Sequence, residues 1–281
     1  MNKVAVILLN YNSSADCRKC VTFLKLQQGV ELEIVIVDNC SPRIDCLKVR
    51  ELSKEQNCTF IQALENRGYN AGNNIGLRYA VEKGYKYALI ANPDMEFPEC
   101  NYIEKLVNYL QEDSFTVAIA SNILDAKGRP QNPYRFIKFW EETCWFITGI
   151  RNKLSKTGVC YQLSAHTSRY VPMVSGCCLM LQLDFVQSIG YFDENVFLYG
   201  EETILARQVE NYGKKIYYMA DACAIHRHIE NTKGNPILRM ITLYESKKYR
   251  IKKYENYNKI QMILWLGSCR FRIWSLKYLR K

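Results

Sequence analysis

Residues 87–97 read YALIANPDMEF, an apolar run that stops at the polar triplet Asn92-Pro93-Asp94. An apolar run of this length, followed by a turn signal, is typical of a covered strand in a parallel sheet. Pro93 cannot extend that strand because it has no N–H group. Asp94 is therefore expected at the carboxyl edge of the sheet, where open α/β sheets bind their ligands. There it either shapes a turn or caps a helix, or it holds a hard cation such as Mg²⁺ or Mn²⁺.

Strands and helices alternate on both sides of this stretch. The predicted strands are Val4–Leu9, Glu33–Val37, Cys58–Gln62, Tyr87–Ala91, Val117–Ser121, Met173–Leu181 and a strand from near Ile216 to His226. The predicted helices are Ser14–Gln28, Asp45–Gln56, Gly72–Lys83, Tyr102–Gln111 and one that opens at Gly200. This alternation predicts an α/β fold with a mostly parallel central sheet flanked by helices. The segment Arg129–Tyr170 has no clear period and is expected to form loops or a substrate-specific insertion.

Positive charge is concentrated at the end of the chain. The 281 residues carry a net charge of +10, and residues 239–281 hold twelve Lys and Arg against Glu245 and Glu255, so residues 1–238 are neutral. A neutral body with a basic end disfavours nucleic-acid binding and favours a surface-binding appendage. We expect one domain over residues 1–235, followed by a basic, aromatic helical tail over residues 236–281.

The tail interleaves its basic residues with Tyr, Trp, Phe, Ile and Leu. This composition predicts a basic amphipathic helical segment that lies on an anionic membrane surface. The alternative is a basic helix that packs on its own catalytic domain or on a dimer partner.

The cysteines and the N-terminus favour a cytoplasmic protein. The twelve cysteines are scattered through apparent strands and helices, and the first residues read as a buried strand with no cleavable secretory signal. Free thiols in a reducing compartment are expected, and Cys17-x-x-Cys20 has no second pair that would complete a zinc site. No apolar stretch reaches the length of about 18 residues that predicts a membrane span.

Polar side chains follow several predicted strands at the point where each strand ends. They are Asn10 and Asn12 after the first strand, Asp38 after the second, and Asp94. Because the carboxyl ends of parallel strands meet at one edge, these side chains could share one crevice. The pair Glu201-Glu202 opens a later helix, where carboxylates either interact with the helix dipole or take part in chemistry at the same site.

The segment Asn66-Arg67-Gly68-Tyr69-Asn70-Ala71-Gly72-Asn73-Asn74-Ile75-Gly76 is unusually rich in Gly and Asn. It could open a helix whose free N–H groups meet phosphate or ribose oxygens. It could equally be a loop that needs positive φ angles. Its glycines do not follow the G-x-G-x-x-G spacing, which disfavours dinucleotide binding and hydride transfer.

Two of the three histidines, His226 and His228, end a predicted strand. They are either structural residues or ligands of a divalent cation that keeps positions open for phosphate oxygens. Asp94 is a candidate partner in such a site.

Seven segments together resemble the family 2 glycosyltransferases of the GT-A fold, in particular their bacterial rhamnosyltransferase-like branch. In chain order they are NYN, VDNCS, NRGYNAGNNIG, ANPD, SGCCLML, GYFDENVFLYGEE and IHRH, and the resemblance covers about residues 3–230. It implies transfer of a sugar from a nucleotide-diphosphate sugar, linked to dTDP or UDP, with inversion of the anomeric carbon. It also implies Mg²⁺ or Mn²⁺ as the cofactor.

The resemblance implies roles for individual residues. Glu202, with Glu201 beside it, takes the position of the catalytic pair, and Asp94 and His226 take the metal positions. Ser175 and Gly176 fall on the acceptor side. The residues implied in nucleotide and donor binding are Asn10, Asn12, Asp38, Asn66, Gly68, Asn73, Asn92 and Asp94.

Two positions depart from the family pattern. The D-x-D element reads Asn92-Pro93-Asp94, so that only one carboxylate is available, and the Glu-Asp pair reads Glu201-Glu202. Glutamate has the chemistry of aspartate on a longer side chain, and a general base must lie within about 2.6 to 3.2 Å of its proton. The second departure therefore leaves open which carboxylate is the base.

The predicted function is extension of a lipid-linked glycan in bacterial surface polysaccharide synthesis, such as capsule or O-antigen, at the cytoplasmic face of the plasma membrane. Rhamnose is the sugar that the branch suggests, and a homodimer is compatible with the sequence. The alternatives are a catalytically silent nucleotide-sugar binding or scaffold protein and a nucleotidyltransferase. The latter is disfavoured because Asn10–Asp16 has neither the Gly nor the Lys of a phosphate-binding loop.

Overall fold

The computed structural model of the protein describes residues 1–154, 161–227 and 236–278. Within these ranges the chain forms one sheet with helices on both faces. The strands are β1 (Asn2–Asn10), β2 (Val30–Asp38), β3 (Thr59–Gln62), β4 (Tyr87–Ala91), β5 (Met95–Glu96), β6 (Thr116–Asp125), β7 (Arg169–Val171), β8 (Cys178–Gln182) and β9 (Lys215–His226). The helices are α1 (Ser14–Lys25), α2 (Arg43–Glu55), α3 (Tyr69–Glu82), α4 (Tyr102–Glu112), α5 (Phe139–Thr143), α6 (Trp145–Leu154), α7 (Leu183–Ser188), α8 (Glu201–Asn211), α9 (Pro236–Tyr254) and α10 (Lys259–Tyr278).

The strand order is β3-β2-β1-β4-β8-β6-β9-β5, and β7 pairs with β9. Strands β1, β2, β3, β4, β6 and β9 run in one direction, and β5, β7 and β8 run in the other. The expected α/β architecture with a mostly parallel sheet is confirmed. The antiparallel β8, inserted between β4 and β6, brings the segment before it alongside the end of β4.

Both faces of the sheet are covered, which explains the uninterrupted apolar runs of its central strands. Helices α1, α2 and α4 cover one face with a core that includes Cys17, Val49 and Leu106. Helices α3, α7 and α8 cover the other face with a core that includes Leu77 and Val186. Because successive side chains of a strand point to opposite faces, β1 contributes to both cores.

Most predicted elements lie where the sequence places them, with three differences. Helix α3 starts at Tyr69, before the predicted Gly72, and the predicted strand Met173–Leu181 is a strand only over Cys178–Gln182. Before Cys178 the backbone makes other contacts: the Tyr134 N–H donates to the carbonyl of Met173 at 2.9 Å. The segment Arg129–Tyr170, expected to be irregular, contains α5 and α6.

Helix α3 packs closely on β1 because two of its residues lack side chains. A Cβ atom on Gly72 would lie 2.5 Å from Leu9 Cδ1, and one on Gly76 would lie 2.4 Å from Ile7 Cγ2. These distances are well inside van der Waals contact. The two glycines therefore allow the close approach of α3 to the sheet.

Helices α9 and α10 pack on the rest of the chain through a small core of Tyr244, Ile251, Trp265 and Cys269. The Arg250 side chain, 3% exposed, forms a 2.7 Å ion pair with Glu142 of α5. Burial by itself raises the pKa of Glu142, but Lys247 and Arg250 hold it below its ordinary value. The tail thus has the intramolecular packing that the sequence left as an alternative to membrane binding.

The division into a domain and a tail stays a prediction, and its boundary adjoins residues 228–235, which lie outside the described ranges. Membrane association of the tail also stays a prediction. Among residues 1–154, 161–227 and 236–278, none of the helices combines the length and the apolar content needed to cross a membrane.

The packing of α3 on β1 gives a stability prediction. Replacement of Gly76 by Ala should lower the free energy of unfolding by about 1–3 kcal/mol, because the new methyl group overlaps a branched side chain in a packed core. Urea unfolding followed by circular dichroism measures this change.

Gly267, inside α10, provides the matched control because a Cβ atom there meets nothing within 4 Å. Gly267→Ala should stabilise the protein by up to about 1 kcal/mol through helix propensity. Equal effects of the two substitutions would contradict the proposed packing constraint.

Candidate functional site

A cleft of about 430 Å³ lies at the carboxyl edge of the parallel strands. The ends of β1, β2 and β4 form its floor, and the start of α3 and the loop before α8 form its sides. Its lining residues are Leu9, Tyr11, Ser13, Asp16, Asn39, Asn66, Gly68, Tyr69, Asn92, Pro93, Asp94, Phe197 and Leu198. Four of the residues predicted to bind the donor, namely Asn66, Gly68, Asn92 and Asp94, are therefore together in one cleft.

Asp94 and His226 are in contact at one wall of this cleft. Asp94 Oδ1 lies 3.1 Å from His226 Nε2, and His226 Nδ1 lies 2.8 Å from Gln131 Oε1. The contact follows from strand register, because β5 pairs with β9 such that Met95 lies opposite His226. The other histidine considered from the sequence, His228, lies outside the described residues.

The chemistry of this pair suits a divalent cation that also binds a diphosphate. Among the described residues, no group of three or more His, Cys, Asp or Glu could hold a metal ion. A carboxylate oxygen and an imidazole nitrogen are nevertheless sufficient for a cation that takes its remaining ligands from phosphate oxygens and water.

The protonation state of His226 bears on whether a cation could bind here. Burial lowers the pKa of His226, but interactions with Asp94 and with Cys177 outweigh burial and raise it to about 10. Since only neutral imidazole binds a metal, a cation that binds there must displace this proton.

Tyr69 lies between the cleft and a second pocket, which Glu201 and Glu202 line. Its hydroxyl oxygen is 3.0 Å from Asn92 Oδ1 and 2.8 Å from the carbonyl oxygen of Gly176. The backbone N–H of Asn92 also donates to the carbonyl of Cys177 at 2.8 Å. These contacts attach the predicted acceptor-side residue Gly176 directly to the end of β4.

Glu201 and Glu202 lie on the other side of Tyr69, in the first turn of α8. Both line a small pocket of about 20 Å³ that Tyr69 and Gly176 also line. This volume holds about one water molecule. The Glu202 side chain lies against Gly176: a Cβ atom built on Gly176 would be 3.6 Å from Glu202 Cγ. Among the described residues, Glu201 Oε2 is buried without a hydrogen-bond partner.

Burial raises the pKa of both carboxyl groups, and the negative charge of Glu202 raises the pKa of Glu201 further. Backbone hydrogen-bond donors oppose this rise in pKa at both carboxyl groups. Because the charge of Glu202 acts on Glu201, Glu201 is the candidate for the neutral member of the pair and Glu202 the candidate for the ionised one. A base and a neutral acid side by side in a buried site are suited to proton transfer.

Asn10 and Asp38 are fully buried beneath the cleft rather than on its surface. Asn10 Nδ2 donates to Asp38 Oδ1 at 2.8 Å and to Asp45 Oδ2 at 2.8 Å, which joins the ends of β1 and β2 to α2. Asn12 has a positive φ of 55° and donates its N–H to Ser41 Oγ at 3.0 Å. Direct contact of these three residues with a nucleotide stays a prediction.

The Gly- and Asn-rich segment forms a turn and a helix start that are fixed by internal contacts. Gly68 has a φ of 100°, and the N–H of Tyr69 donates to the carbonyl of Phe197 at 2.9 Å. Asn70 Nδ2 donates to the carbonyl of Asp193 at 2.8 Å, and Asn73 Nδ2 to that of Tyr69 at 3.1 Å. Asn73 is buried and bonds to its own helix. Its role in donor binding stays a prediction.

The other predicted acceptor-side residue, Ser175, is held by an asparagine from the segment after β6. Its N–H donates to Asn132 Oδ1 at 2.7 Å. This contact fixes Ser175, which directly precedes Gly176 in the chain, at the same end of the site.

Sequence reasoning did not assign Tyr11, Asn39, Tyr69 and Phe197 to the site, although all four line the cleft. Tyr11, Asn39 and Tyr69 lie in recognised motifs, directly after Asn10, Asp38 and Gly68. This adjacency is the sequence signal that could have assigned them to the site. Phe197 also lies in a recognised segment, GYFDENVFLYGEE, but only the fold brings it to Gly68.

Comparison with known proteins identifies the family. The profile of Glycosyl transferase family 2 matches residues 5–171, more than half of the chain. The low-salt glycan biosynthesis hexosyltransferase Agl10 of Haloferax volcanii is 27% identical over 203 residues, which are 72% of this chain and 60% of Agl10. The uncharacterised protein L142 of Acanthamoeba polyphaga mimivirus is 25% identical over 156 residues, 53% of this chain and 30% of L142. The chain thus spans less than two thirds of the length of these relatives.

Solved structures show the same fold at low sequence identity. The mannosyltransferase PcManGT of Pyrobaculum calidifontis, in complex with GDP-Man and Mn²⁺, has a TM-score of 0.61 and 16% identity, with 94% of this chain and 68% of that chain covered. GalNAc-T7 with UDP, GalNAc and Mn²⁺ has a TM-score of 0.66 and 15% identity, with 92% and 49% covered. The fold is GT-A, and this chain belongs to glycosyltransferase family 2.

Proposed function

We propose that the protein is an inverting glycosyltransferase, which moves a hexose from a nucleotide-diphosphate sugar to a hydroxyl group of a glycan. The observation that carries this proposal is the position of Glu202 against Gly176, across Tyr69 and Asn92 from the cleft that contains Asp94. One side of the site can bind a diphosphate, and the other side offers a base. This is the division of roles that direct displacement at a sugar carbon requires.

In the proposed reaction, Glu202 takes the proton of the acceptor hydroxyl as that oxygen attacks the anomeric carbon. The C–O bond to the diphosphate breaks as the new glycosidic bond forms, so attack from the opposite face inverts the configuration. Glu201 is neutral in this reaction, so the two carboxyl groups together carry a net charge of −1. Tyr69 fixes Asn92 and Gly176 relative to each other and so holds the two halves of the site together.

We propose Mg²⁺ or Mn²⁺ as the cofactor, held by Asp94 and His226. A divalent cation supplies positive charge to the departing diphosphate. Two solved structures of the same fold were obtained with Mn²⁺, which supports this assignment. Asn66, Gly68 and Asn92 line the same cleft and would bind the rest of the donor.

The donor is proposed to be a hexose linked to dTDP or UDP. The hexosyltransferase Agl10 supports a hexose, and the structural neighbours were solved with GDP-Man or with UDP. The motif resemblance suggests rhamnose within this class. The acceptor is proposed to be a lipid-linked glycan of a bacterial surface polysaccharide, with the enzyme at the cytoplasmic face of the membrane.

The test of donor binding is thermal unfolding with a panel of nucleoside diphosphates and nucleotide sugars, with and without Mn²⁺. At a donor concentration well above Kd, binding to the native state should raise Tm by about 5 °C, and only with the metal present. Asp94→Asn should abolish the Mn²⁺-dependent part of this shift. Asp184→Asn, an exposed carboxylate in α7, is the matched control and should leave the shift unchanged.

A metal-dependent shift that persists in Asp94→Asn would contradict the metal assignment. If no nucleotide sugar shifts Tm in the wild type, the transferase proposal fails.

The roles of the two glutamates give a second prediction. Glu202→Gln should lower kcat by about 100-fold or more, because it removes the general base, whereas the donor-induced rise in Tm should persist. Glu201→Gln should retain turnover, since Gln resembles the neutral acid that Glu201 already is. The reverse result would assign the base to Glu201.

The pH dependence follows from the same pair. Because both pKa values are raised above the ordinary value of 4.5, kcat/KM should decline on the acid side from well above pH 4.5 as the base becomes protonated. Steady-state rates of the wild type and of Glu201→Gln across pH measure this acid-side decline in kcat/KM. If kcat/KM of the wild type declines only around the pKa of an ordinary glutamate, the assignment of a buried carboxyl pair is contradicted.

A further inference from the structure

Helix α10 is apolar on two faces, and only one of them is covered. Trp265 and Cys269 are buried against the rest of the tail. The opposite face exposes a second set of large apolar side chains at helical spacing: Ile260, Ile263, Leu264, Phe271, Trp274 and Tyr278. Helices that are apolar all round normally lie in a core or at an interface, so the exposed face of α10 indicates a missing partner.

Helix α6 continues this surface from a different part of the chain. None of its side chains is buried, and Phe146, Ile150 and Leu154 are exposed at a spacing of four residues, at 55, 60 and 81%. The rings of Trp145 and Phe271 lie 6.5 Å apart, and the guanidinium of Arg272 is 5.0 Å from the centre of the Trp145 ring. The two helices therefore adjoin at Trp145.

The charges on these two helices identify the kind of partner. The segments WFITGIRNKL and KIQMILWLGSCRFRIWSLKY contain Lys and Arg but neither Asp nor Glu. One of these cations, Arg151, pairs with Glu141 of α5 at 2.9 Å, so the positive charge of this surface comes mainly from α10. An anionic bilayer attracts such a surface, whereas a second copy would place like charges against each other. Trp and Tyr side chains that flank an apolar stripe are also typical of helices at the headgroup level.

Helix α9, the most basic part of the tail, has a different role. Arg250 pairs with Glu142 at 2.7 Å, and Lys253 pairs with Asp193 at 2.9 Å, which uses these cations inside the molecule. The side chain of Ser246 donates to the carbonyl of Leu198 at 2.8 Å, which fixes α9 to the loop that lines the cleft. Helix α9 thus connects the surface of α6 and α10 to the candidate active site.

We propose that α6 and α10 together form a membrane-binding surface for anionic lipid, with their exposed apolar side chains inserted at the headgroup boundary. This inference refines the membrane part of the proposed function, because it adds α6, which ends about 80 residues before the tail begins, and it assigns α9 to intramolecular support. A surface of this kind would bring the cleft to an acceptor that is anchored in the same bilayer.

The test is co-sedimentation of the full chain with vesicles of phosphatidylcholine alone or of equimolar phosphatidylcholine and phosphatidylglycerol. The wild type should bind the anionic vesicles preferentially. The double variants Phe271→Ser/Trp274→Ser in α10 and Phe146→Ser/Ile150→Ser in α6 should each weaken binding by about tenfold or more, because each removes two apolar side chains from the bilayer.

The matched control is Ile44→Ser/Leu47→Ser, which removes two exposed apolar side chains from α2 at 71 and 45% exposure. This variant should bind vesicles like the wild type. Circular dichroism and Tm show whether each variant is folded, and the α6 variant keeps the test valid if the α10 variant is unstable.

The proposal would be overturned if the wild-type protein did not bind anionic vesicles, or if the α6 variant bound them like the wild type. A wild-type dimer that the α10 variant converts to a monomer, without vesicle binding by either, would instead identify a second copy as the partner. The donor-induced Tm shift separates the two proposals: vesicle binding without any donor shift rejects the transferase function alone, and a donor shift without vesicle binding rejects this surface alone.

Discussion

Asp193 joins α3, α9 and the loop before α8, on which the candidate site depends. Its Oδ2 atom accepts hydrogen bonds from Tyr249 at 2.8 Å, Lys253 at 2.9 Å and Tyr254 at 2.6 Å, all in α9. Its backbone carbonyl accepts a bond from Asn70 of α3. Although burial opposes the charge, hydrogen bonds from Tyr254, Asn195 and Lys253 hold the pKa of Asp193 well below its ordinary value. The loop from Asp193 to the start of α8 is therefore fixed at its beginning by α3 and α9.

The same loop ends at the two glutamates, so Glu201 and Glu202 are positioned by contacts from α3 and α9. The Phe197 carbonyl accepts the N–H of Tyr69, and the Leu198 carbonyl accepts the hydroxyl of Ser246. On the opposite wall, pairing of β5 with β9 sets the contact of Asp94 with His226. Strand register thus positions Asp94 and His226, and loop anchoring positions Glu201 and Glu202.

Much of this arrangement could be predicted from sequence because it depends on local patterns. Apolar runs that end in polar residues gave the parallel strands, and the order of weak motifs gave the family. The buried role of Asn10 and the position of Phe197 could not be predicted, because each depends on contacts between segments far apart in the chain. The composition of the tail indicated its basic surface, but which of its cations pair inside the molecule depends on Glu142 and Asp193, which only the fold brings near.

The central claim is a single displacement in which Glu202 activates the acceptor. The most direct measurement is the anomeric configuration of the first product, followed by proton NMR with the nucleotide sugar that the binding panel selects. A single displacement predicts a configuration opposite to that of the donor from the earliest time points. Retention of the donor configuration would contradict it, because a retained product requires either two displacements or attack from the face of the departing diphosphate, and one base on the opposite side provides neither.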